Sequence, residues 1–299
     1  MIKYYRTMDH QIHEISEPME GTWISLIHPT AAELAKIATD YKIDIDDLRA
    51  PLDEEERSHI EVEEGYTLFI VDVPTTEERK EKEYFLTIPC GIILTEKVII
   101  TVCLEDTAVL ADFKNGRVRN FWTFKRTRFI LQILYRNASL YLQYLRIIDK
   151  KSDSVEKQLH ISTKKSLVYF STSLRSNELV LEKMLKIDKI KQYPEDEELL
   201  DDVIIENKQA IEMADIYSNI LSGTMDAYAS VISNNLNIVM KVLAIITIVM
   251  SIPTMIASFW GMNVPVPLAH SAHGFLILVI VSLILTIFGG YILGKKNMF

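Results

Sequence analysis

The chain has little cysteine, more acid than base, and two long stretches with no charge at all. Only Cys90 and Cys103 are present among 299 residues, which excludes a small fold held together by disulfides. The 32 basic and 41 acidic side chains give a formal charge of −9, which argues against a nucleic-acid-binding protein. The sequence has no glycine-rich phosphate loop, His/Cys metal cluster or nucleophile motif, so we expect neither an enzyme nor an organic cofactor.

The two uncharged stretches, Val242–Trp260 and Phe275–Gly294, contain 19 and 20 residues. A helix of about 20 apolar residues crosses the hydrocarbon core of a membrane, so both are predicted to be transmembrane helices rather than buried core helices. Lys241 precedes the first stretch and Lys295 and Lys296 follow the second, whereas their connection contains neither Lys nor Arg. The positive-inside rule therefore predicts a multi-pass protein of the cell inner (plasma) membrane, surrounded by lipid, with both termini in the cytoplasm.

The first uncharged stretch carries small and polar residues on one helical face. They recur at steps of three and four residues, continuing a series that begins before the stretch: Asn237, Met240, Ala244, Thr247, Ser251, Thr254 and Ser258. We call this face the polar stripe. Such a stripe suits either close packing between membrane helices or the lining of a water-filled pore. Two helices cannot enclose a pore, so the second interpretation requires several copies around an axis.

The region before these stretches predicts an α/β domain and then long helices. Short runs rich in β-branched and aromatic residues alternate with two capped helical segments up to about residue 115, and Thr76–Lys82 is predicted as a charged loop. Glycine is absent from residue 117 to residue 222, which predicts an antiparallel pair of long helices, Arg128–Ile161 and Lys164–Lys191, and then a stalk helix that continues into the first membrane helix. The predicted divisions are residues 1–120, 121–192, 193–260, 261–274, 275–294 and 295–299.

The first transmembrane stretch ends in Trp260-Gly261-Met262-Asn263 and is preceded by the segment Asn237–Thr247. With two C-terminal spans, this arrangement resembles the CorA-type magnesium transporter family, whose signature is the tripeptide Gly-Met-Asn (GMN). The segment Leu52–Tyr66 is also similar to the family's cytoplasmic domain. The resemblance implies a homopentamer with an α+β cytoplasmic funnel, a long stalk helix and an all-helical membrane part. It also implies uptake of Mg²⁺, with Co²⁺ and Ni²⁺ as further ions, driven by the membrane potential.

The resemblance also implies roles for individual residues of the first span and its ends. Gly261, Met262 and Asn263 would form the outer selectivity filter. The pore would be lined by Asn237, Met240, Leu243, Thr247, Ser251, Thr254 and Ser258. Of these, Met240 and Leu243 would form a hydrophobic constriction, and Asn237 with Asp226 the cytoplasmic mouth. Read from the residues alone, Asn263 also suits a helix C-cap and the constriction pair also suits ordinary packing. The chain departs from the family pattern at Ser251, Ser258 and Pro253.

The connection between the spans supports an alternative ion, although two histidines three residues apart in a loop more often have no metal-binding role. It contains no acid but has two imidazoles, His270 and His273, and imidazole suits Zn²⁺ better than Mg²⁺. A Zn²⁺ transporter of the same superfamily is therefore an alternative. A membrane-anchored sensor or scaffold without transport is a third hypothesis, although an anchor needs no polar stripe.

The segment Glu195–Asp202 (EDEELLDD) places six acids in eight residues at the start of the stalk helix. Acids favour a helix N-terminus, but that effect explains one or two of them. The resemblance implies feedback in which cytoplasmic Mg²⁺ binds between subunits and holds the pore closed. By alignment of the stalk, Asp202 would be the regulatory carboxylate, with Glu77 or Glu78 as its partner. Carboxylate oxygens are ligands that Mg²⁺ prefers.

Overall fold

The computed structural model describes residues 1–79, 82–152, 157–187, 190, 193–268 and 271–295. His270 and Lys296, both discussed above, lie outside the described residues. The chain forms two compact units, Met1–Leu221 and Ser222–Phe299. The strands are β1 Ile2–Met8, β2 Gln11–Ile15, β3 Trp23–Ile27, β4 His59–Val62, β5 Tyr66–Arg79, β6 Lys82–Thr95 and β7 Ile99–Cys103. The helices are α1 Ala31–Tyr41, α2 Ile45–Arg49, α3 Ala108–Lys114, α4 Arg126–Ser152, α5 Lys157–Met184, α6 Pro194–Trp260 and α7 Gly274–Lys295.

The first unit is built on a seven-stranded sheet in the order β2-β1-β3-β7-β6-β5-β4. Strands β3 and β7 pair in parallel, and the other described pairs are antiparallel. Alternate side chains of a strand point to opposite faces: Trp23 and Phe69 enter the core beneath α3 and α4, whereas Ile24 and Ile70 enter the core beneath α1 and α2. Both faces of the sheet are therefore covered, which explains the unbroken apolar runs of its central strands.

The β5–β6 hairpin differs from the sequence prediction. The sequence predicts a charged loop at Thr76–Lys82, but β5 continues to Arg79 and its residues pair with those of β6 as far as Lys82. The sequence predicts separate strands at Tyr84–Thr87 and Gly91–Leu94, which are merged in β6. It does not predict β1 and β2. Pairing persists in this polar sequence because Phe85 of β6 is buried, with its ring 5.3 Å from that of Tyr144 in α4.

Helices α4 and α5 pack against the sheet as an antiparallel pair. Asn137 of α4 and Asn177 of α5 both donate to the main-chain oxygen of Asp72, at 2.9 and 2.8 Å. Farther along α4, the ring of Tyr141 lies 4.9 Å from that of Phe170, which precedes Asn177 in α5. Later residues of α4 thus meet earlier residues of α5, and one carbonyl of β5 joins both helices to the sheet.

The second unit contains the C-terminal part of α6 and α7. Both helices are long and apolar enough to cross a membrane, with mean hydropathies of 2.2 and 2.7 over their most apolar 18-residue windows. Pro253 lies inside α6. Because proline has no N–H, the carbonyl of Val249 one turn earlier lacks its usual helical donor.

Candidate functional site

The part of α6 that follows Lys241 has two faces of different exposure. One face is partly or fully covered and consists of Val242, Ile245, Val249, Ile252, Ile256 and Trp260. Its neighbour is α7: a Cβ built on Gly289 would lie 2.9 Å from Ile252 Cδ1, and one built on Gly290 would lie 3.9 Å from Val249 Cγ2. We call this face the α7-packing face. On α6 this face consists of large apolar residues. The small residues at the contact between the two helices belong to α7.

The opposite face of α6 carries the polar stripe and is exposed. All of its residues are open to the surface in the single chain: Asn237, Met240, Ala244, Thr247, Ser251, Thr254 and Ser258. The last four line a shallow groove together with Ile246, Met250 and Met255, three residues for which the sequence analysis predicts no role. Packing against α7 therefore does not explain the polar stripe. In a membrane, this face is left to lipid, to other copies of the chain or to water.

The hydroxyl groups of the polar stripe are oriented by their own helix. Those of Thr247, Ser251 and Thr254 donate to main-chain oxygens three or four residues earlier, at 2.8, 2.7 and 3.1 Å. A hydroxyl that uses its hydrogen in this way keeps its lone pairs as acceptors. The groove therefore presents acceptor oxygens, which suit the outward-pointing hydrogens of a hydrated cation.

The GMN tripeptide follows directly on the end of α6. The N–H of Gly261 donates to the Ala257 carbonyl at 3.0 Å, and the N–H of Met262 donates to the Phe259 carbonyl at 3.4 Å. These main-chain bonds close the helix end, so the end does not depend on a cap from the Asn263 side chain. Asn263 is exposed, and its amide oxygen is available to a ligand.

The connection after the tripeptide closes tightly against the start of α7. Leu268 has a left-handed backbone with φ 67°, and a Cβ on Gly274 would lie 2.5 Å from the Leu268 carbonyl oxygen. The N–H of His273 donates to the Ser271 hydroxyl at 3.4 Å. His270, the other imidazole of the predicted Zn²⁺ alternative, lies outside the described residues.

The residues predicted to form the mouth and the constriction are all exposed in the single chain. Asp226, Asn237, Met240 and Leu243 are open to solvent, as is every residue of α6 from 226 to 241. By contrast, one earlier apolar face of α6 is buried by the rest of the first unit: Leu200, Val203, Ala210, Ala214 and Leu221. Burial within one chain is thus interrupted between residues 226 and 241 of α6, although large apolar side chains continue through this part.

The acids of the segment Glu195–Asp202 differ in how far they are buried. Asp196 is only 5% exposed and lies 3.3 Å from the guanidinium of Arg128 in α4, whereas Asp201 and Asp202 are exposed. Burial raises the pKa of Asp196 above its usual range, and the neighbouring Arg128 partly offsets this effect. The acids are therefore not one uniform solvated surface, because Asp196 is part of the packing.

We expect Arg128→Ala to lower the free energy of unfolding at pH 7 by about 1–3 kcal/mol, because it leaves the Asp196 carboxylate buried without its partner. An acid whose folded pKa is raised destabilises the fold once it ionises, so the penalty grows as pH rises from the unfolded pKa through the folded one. The loss should therefore be smaller at about pH 4.5 than at pH 7. Denaturant unfolding of the detergent-solubilised chain measures it, with the exposed Arg119→Ala as control. An equal loss at both pH values would contradict this assignment.

The residues predicted to form the regulatory site lie on different elements of the first unit. Asp202 is on α6, and Glu77 and Glu78 are on β5 rather than in a loop, opposite Tyr84 and Glu83 of β6. Asp202 and Glu78 are exposed and Glu77 is half-buried. Among the residues that the structure describes, no three His, Cys, Asp or Glu side chains are grouped as metal ligands.

Comparison with known proteins identifies the family. Residues 19–295 match the family described as CorA-like Mg²⁺ transporter protein. The cobalt/magnesium transport protein CorA of Methanocaldococcus jannaschii is 27% identical over 308 aligned positions, covering 94% of this chain and 93% of the relative. The protein of the same description from Thermotoga maritima is 25% identical over 262 positions, covering 81% and 73%.

The fold agrees as well. The complete structure of the CorA magnesium transporter from Methanocaldococcus jannaschii has a TM-score of 0.86 to this structure at 21% identity, covering 100% of this chain and 99% of that one. The resemblance drawn from the GMN tripeptide is thereby confirmed. Because the family match spans nearly the whole sequence, the chain belongs to the CorA-like Mg²⁺ transporter family.

Proposed function

We propose that this protein transports divalent cations, Mg²⁺ and also Co²⁺ and Ni²⁺, across the inner membrane through a homopentameric pore lined by the polar stripe. The observation that carries the proposal is the division of α6 into two faces. Helix α7 packs on the apolar face, which leaves the stripe of acceptor oxygens free to face a common axis. The two relatives are cobalt/magnesium transport proteins, which supports the choice of Mg²⁺ and Co²⁺.

Assembly is supported by the exposed part of α6 between residues 226 and 241. Its surface includes large apolar side chains that are each 54–62% exposed: Val231, Ile232, Leu236, Val239 and Met240. Burying apolar surface contributes roughly 25 cal/mol per Å², and a helix that is apolar on several sides is normally covered by neighbours. Copies of the same helix around an axis would supply that cover, and the number five comes from the family resemblance.

The chemistry along the proposed path uses neutral oxygen atoms. Mg²⁺ releases its water reluctantly, so a filter of Asn263 amide oxygens and neighbouring main-chain carbonyls would bind the hydrated ion through hydrogen bonds. Below the filter, the hydroxyls of Thr247, Ser251 and Thr254 would accept hydrogen bonds from the hydrated ion in the same way. Neutral groups bind weakly enough to release the ion, which conduction requires. A membrane potential supplies about 2.3 kcal/mol per charge per 100 mV, hence about twice that for a divalent ion.

The cytoplasmic end of the path would contain the gate. A ring of Met240 and Leu243 side chains around the axis would form an apolar constriction that excludes water when narrow. Asn237 and Asp226 would face the ion beyond it. Mg²⁺ bound in the cytoplasm between the Asp202 carboxylate of one subunit and Glu77 or Glu78 of the next would hold the constriction closed, because it offsets the repulsion among the acids.

We expect Asp202→Ala to weaken inhibition by internal Mg²⁺ by about tenfold in concentration, since one carboxylate ligand of the site is removed. The neighbouring Asp201→Ala is the matched control, because Asp201 is equally exposed on the same helix. Mg²⁺ influx into proteoliposomes preloaded with graded Mg²⁺ gives the inhibition curve. If Asp202→Ala is inhibited at the same internal Mg²⁺ as the wild type, Asp202 does not belong to the sensor.

The proposed function is tested by reconstitution of the wild-type chain into liposomes that contain an ion-sensitive dye. A K⁺ diffusion potential, negative inside, should drive uptake of Mg²⁺ and Co²⁺ at rates far above those of protein-free liposomes. Uptake of Zn²⁺ alone, with acidification of the lumen, would replace the proposal by the Zn²⁺ alternative. Absence of uptake for every divalent cation would leave the sensor or scaffold hypothesis.

A further inference from the structure

We propose that Gly289 of α7 is a positioning residue for the pore: it holds the proline turn of α6, Val249–Pro253, at the distance that places Ser251 and Thr254 on the ion path. The contact is on the α7-packing face. A Cβ built on Gly289 would lie 2.9 Å from Ile252 Cδ1, closer than real Cβ atoms approach, whereas one on Gly290 would meet Val249 Cγ2 at an ordinary 3.9 Å. This inference rests on the proposed function.

The turn that Gly289 contacts is the part of the membrane segment of α6 with the weakest internal support. Pro253 has no N–H, so the Val249 carbonyl receives no helical hydrogen bond from it. Ser251 and Thr254 flank Ile252 and Pro253 in the sequence, and their oxygen atoms line the groove. The atom that a Cβ on Gly289 would meet is Ile252 Cδ1, the end of that side chain. We expect an added methyl to push the packed Ile252 side chain and, with it, the turn that carries these two hydroxyls.

The sequence of α7 indicates that the space available beside α6, and not helix propensity, accounts for the glycine at position 289. Glycine is the poorest helix former after proline, yet α7 contains Gly289 and Gly290 well inside its length. The side of α7 that is less exposed carries mainly small residues: Leu278, Ser282, Thr286, Gly289, Gly290, Leu293 and Gly294. Small residues let membrane helices approach closely. Of the two adjacent glycines, Gly289 is the one at which an added Cβ would come closer than 3.0 Å to a neighbour.

The experiment compares four chains reconstituted as full-length protein: Gly289→Ala, Gly290→Ala, Ile252→Val and the double variant Gly289→Ala/Ile252→Val. We expect Gly289→Ala to lower Mg²⁺ uptake roughly tenfold, since small displacements of positioned groups cost one to two orders of magnitude. Gly290→Ala, the same change one residue away, should stay within about twofold of the wild type because its contact is relaxed. Valine lacks Cδ1, so the double variant should recover most of the uptake.

Each result decides the proposal. If Gly289→Ala conducts like the wild type, or if Ile252→Val does not restore a defective Gly289→Ala, Gly289 is not a positioning residue. If Gly289→Ala alone fails to assemble, the double variant still decides, because it must assemble and conduct. Should the wild type itself take up no divalent cation, the proposed function fails. The packing contact is then tested by the thermal unfolding temperatures of the same variants. If the two substitutions lower the unfolding temperature additively, instead of Ile252→Val compensating for Gly289→Ala, the contact does not have the proposed role.

Discussion

Asn263→Ala should reduce Mg²⁺ uptake about a hundredfold or more, the largest effect that we expect from any single substitution. A hydrogen bond to a charged partner is worth about 1.5–3 kcal/mol, and about 1.4 kcal/mol corresponds to a factor of ten. Replacing Asn263 by alanine removes one amide acceptor per subunit from the proposed filter. Because main-chain bonds of Gly261 and Met262 already close the end of α6, folding should be little affected.

The measurement is dye-reported Mg²⁺ influx into proteoliposomes, with assembly of each variant checked by size-exclusion chromatography. Asn235→Ala is the matched control, because Asn235 is an exposed asparagine of α6 outside the polar stripe. Asn263→Asp adds a second test: a ring of carboxylates should hold the divalent ion longer, so uptake should saturate at lower Mg²⁺ and reach a lower maximum. Wild-type uptake by a correctly assembled Asn263→Ala would exclude Asn263 from the filter.

Leu243→Ser should have an effect of the opposite sign. If Leu243 forms the apolar constriction, a hydroxyl at each copy lets water remain in the narrow part of the pore. We expect Mg²⁺ uptake at high internal Mg²⁺, where the wild type is closed, to rise about tenfold, since dewetting no longer opposes the ion.

Ile238→Ser controls for the introduction of a polar group on this helix, because Ile238 is 43% exposed on a different side of α6. Uptake is compared at low and high internal Mg²⁺ for both variants and the wild type. A Leu243→Ser protein that closes as fully as the wild type would show that Leu243 is a packing residue, which is the alternative that the sequence leaves open.

The apolar end of α6, helix α7 and the polar stripe could be predicted from the sequence because each depends on a simple physical requirement. A hydrocarbon core needs about 20 residues without charge, and a helical face repeats every three or four residues. The hairpin at Glu77 and Glu78 could not be predicted, because its polar residues are held in register by Phe85, which is buried against α4. Such a contact between distant elements leaves no local pattern in the hairpin itself.

The surroundings of other site residues depend on contacts between distant elements, which the sequence does not reveal. Nothing in the string EDEELLDD distinguishes Asp196, which is buried beside Arg128, from Asp202, which is exposed. The polar stripe likewise fits packing or a pore until the position of α7 is known. Gly289 carries a visible signal, a glycine pair inside an apolar helix, but its meaning depends on the position of Ile252.

The central claim is that the polar stripe lines a water-filled path while the opposite face of α6 packs on α7. It is tested most directly by single cysteines introduced into a Cys90→Ala/Cys103→Ala background and exposed, in liposomes, to a charged thiol reagent. The account predicts fast modification at four stripe positions: Thr247, Ser251, Thr254 and Ser258. It predicts little modification on the α7-packing face at Ile245, Val249, Ile252 and Ile256. Equal modification of both faces, or the reverse pattern, would contradict it.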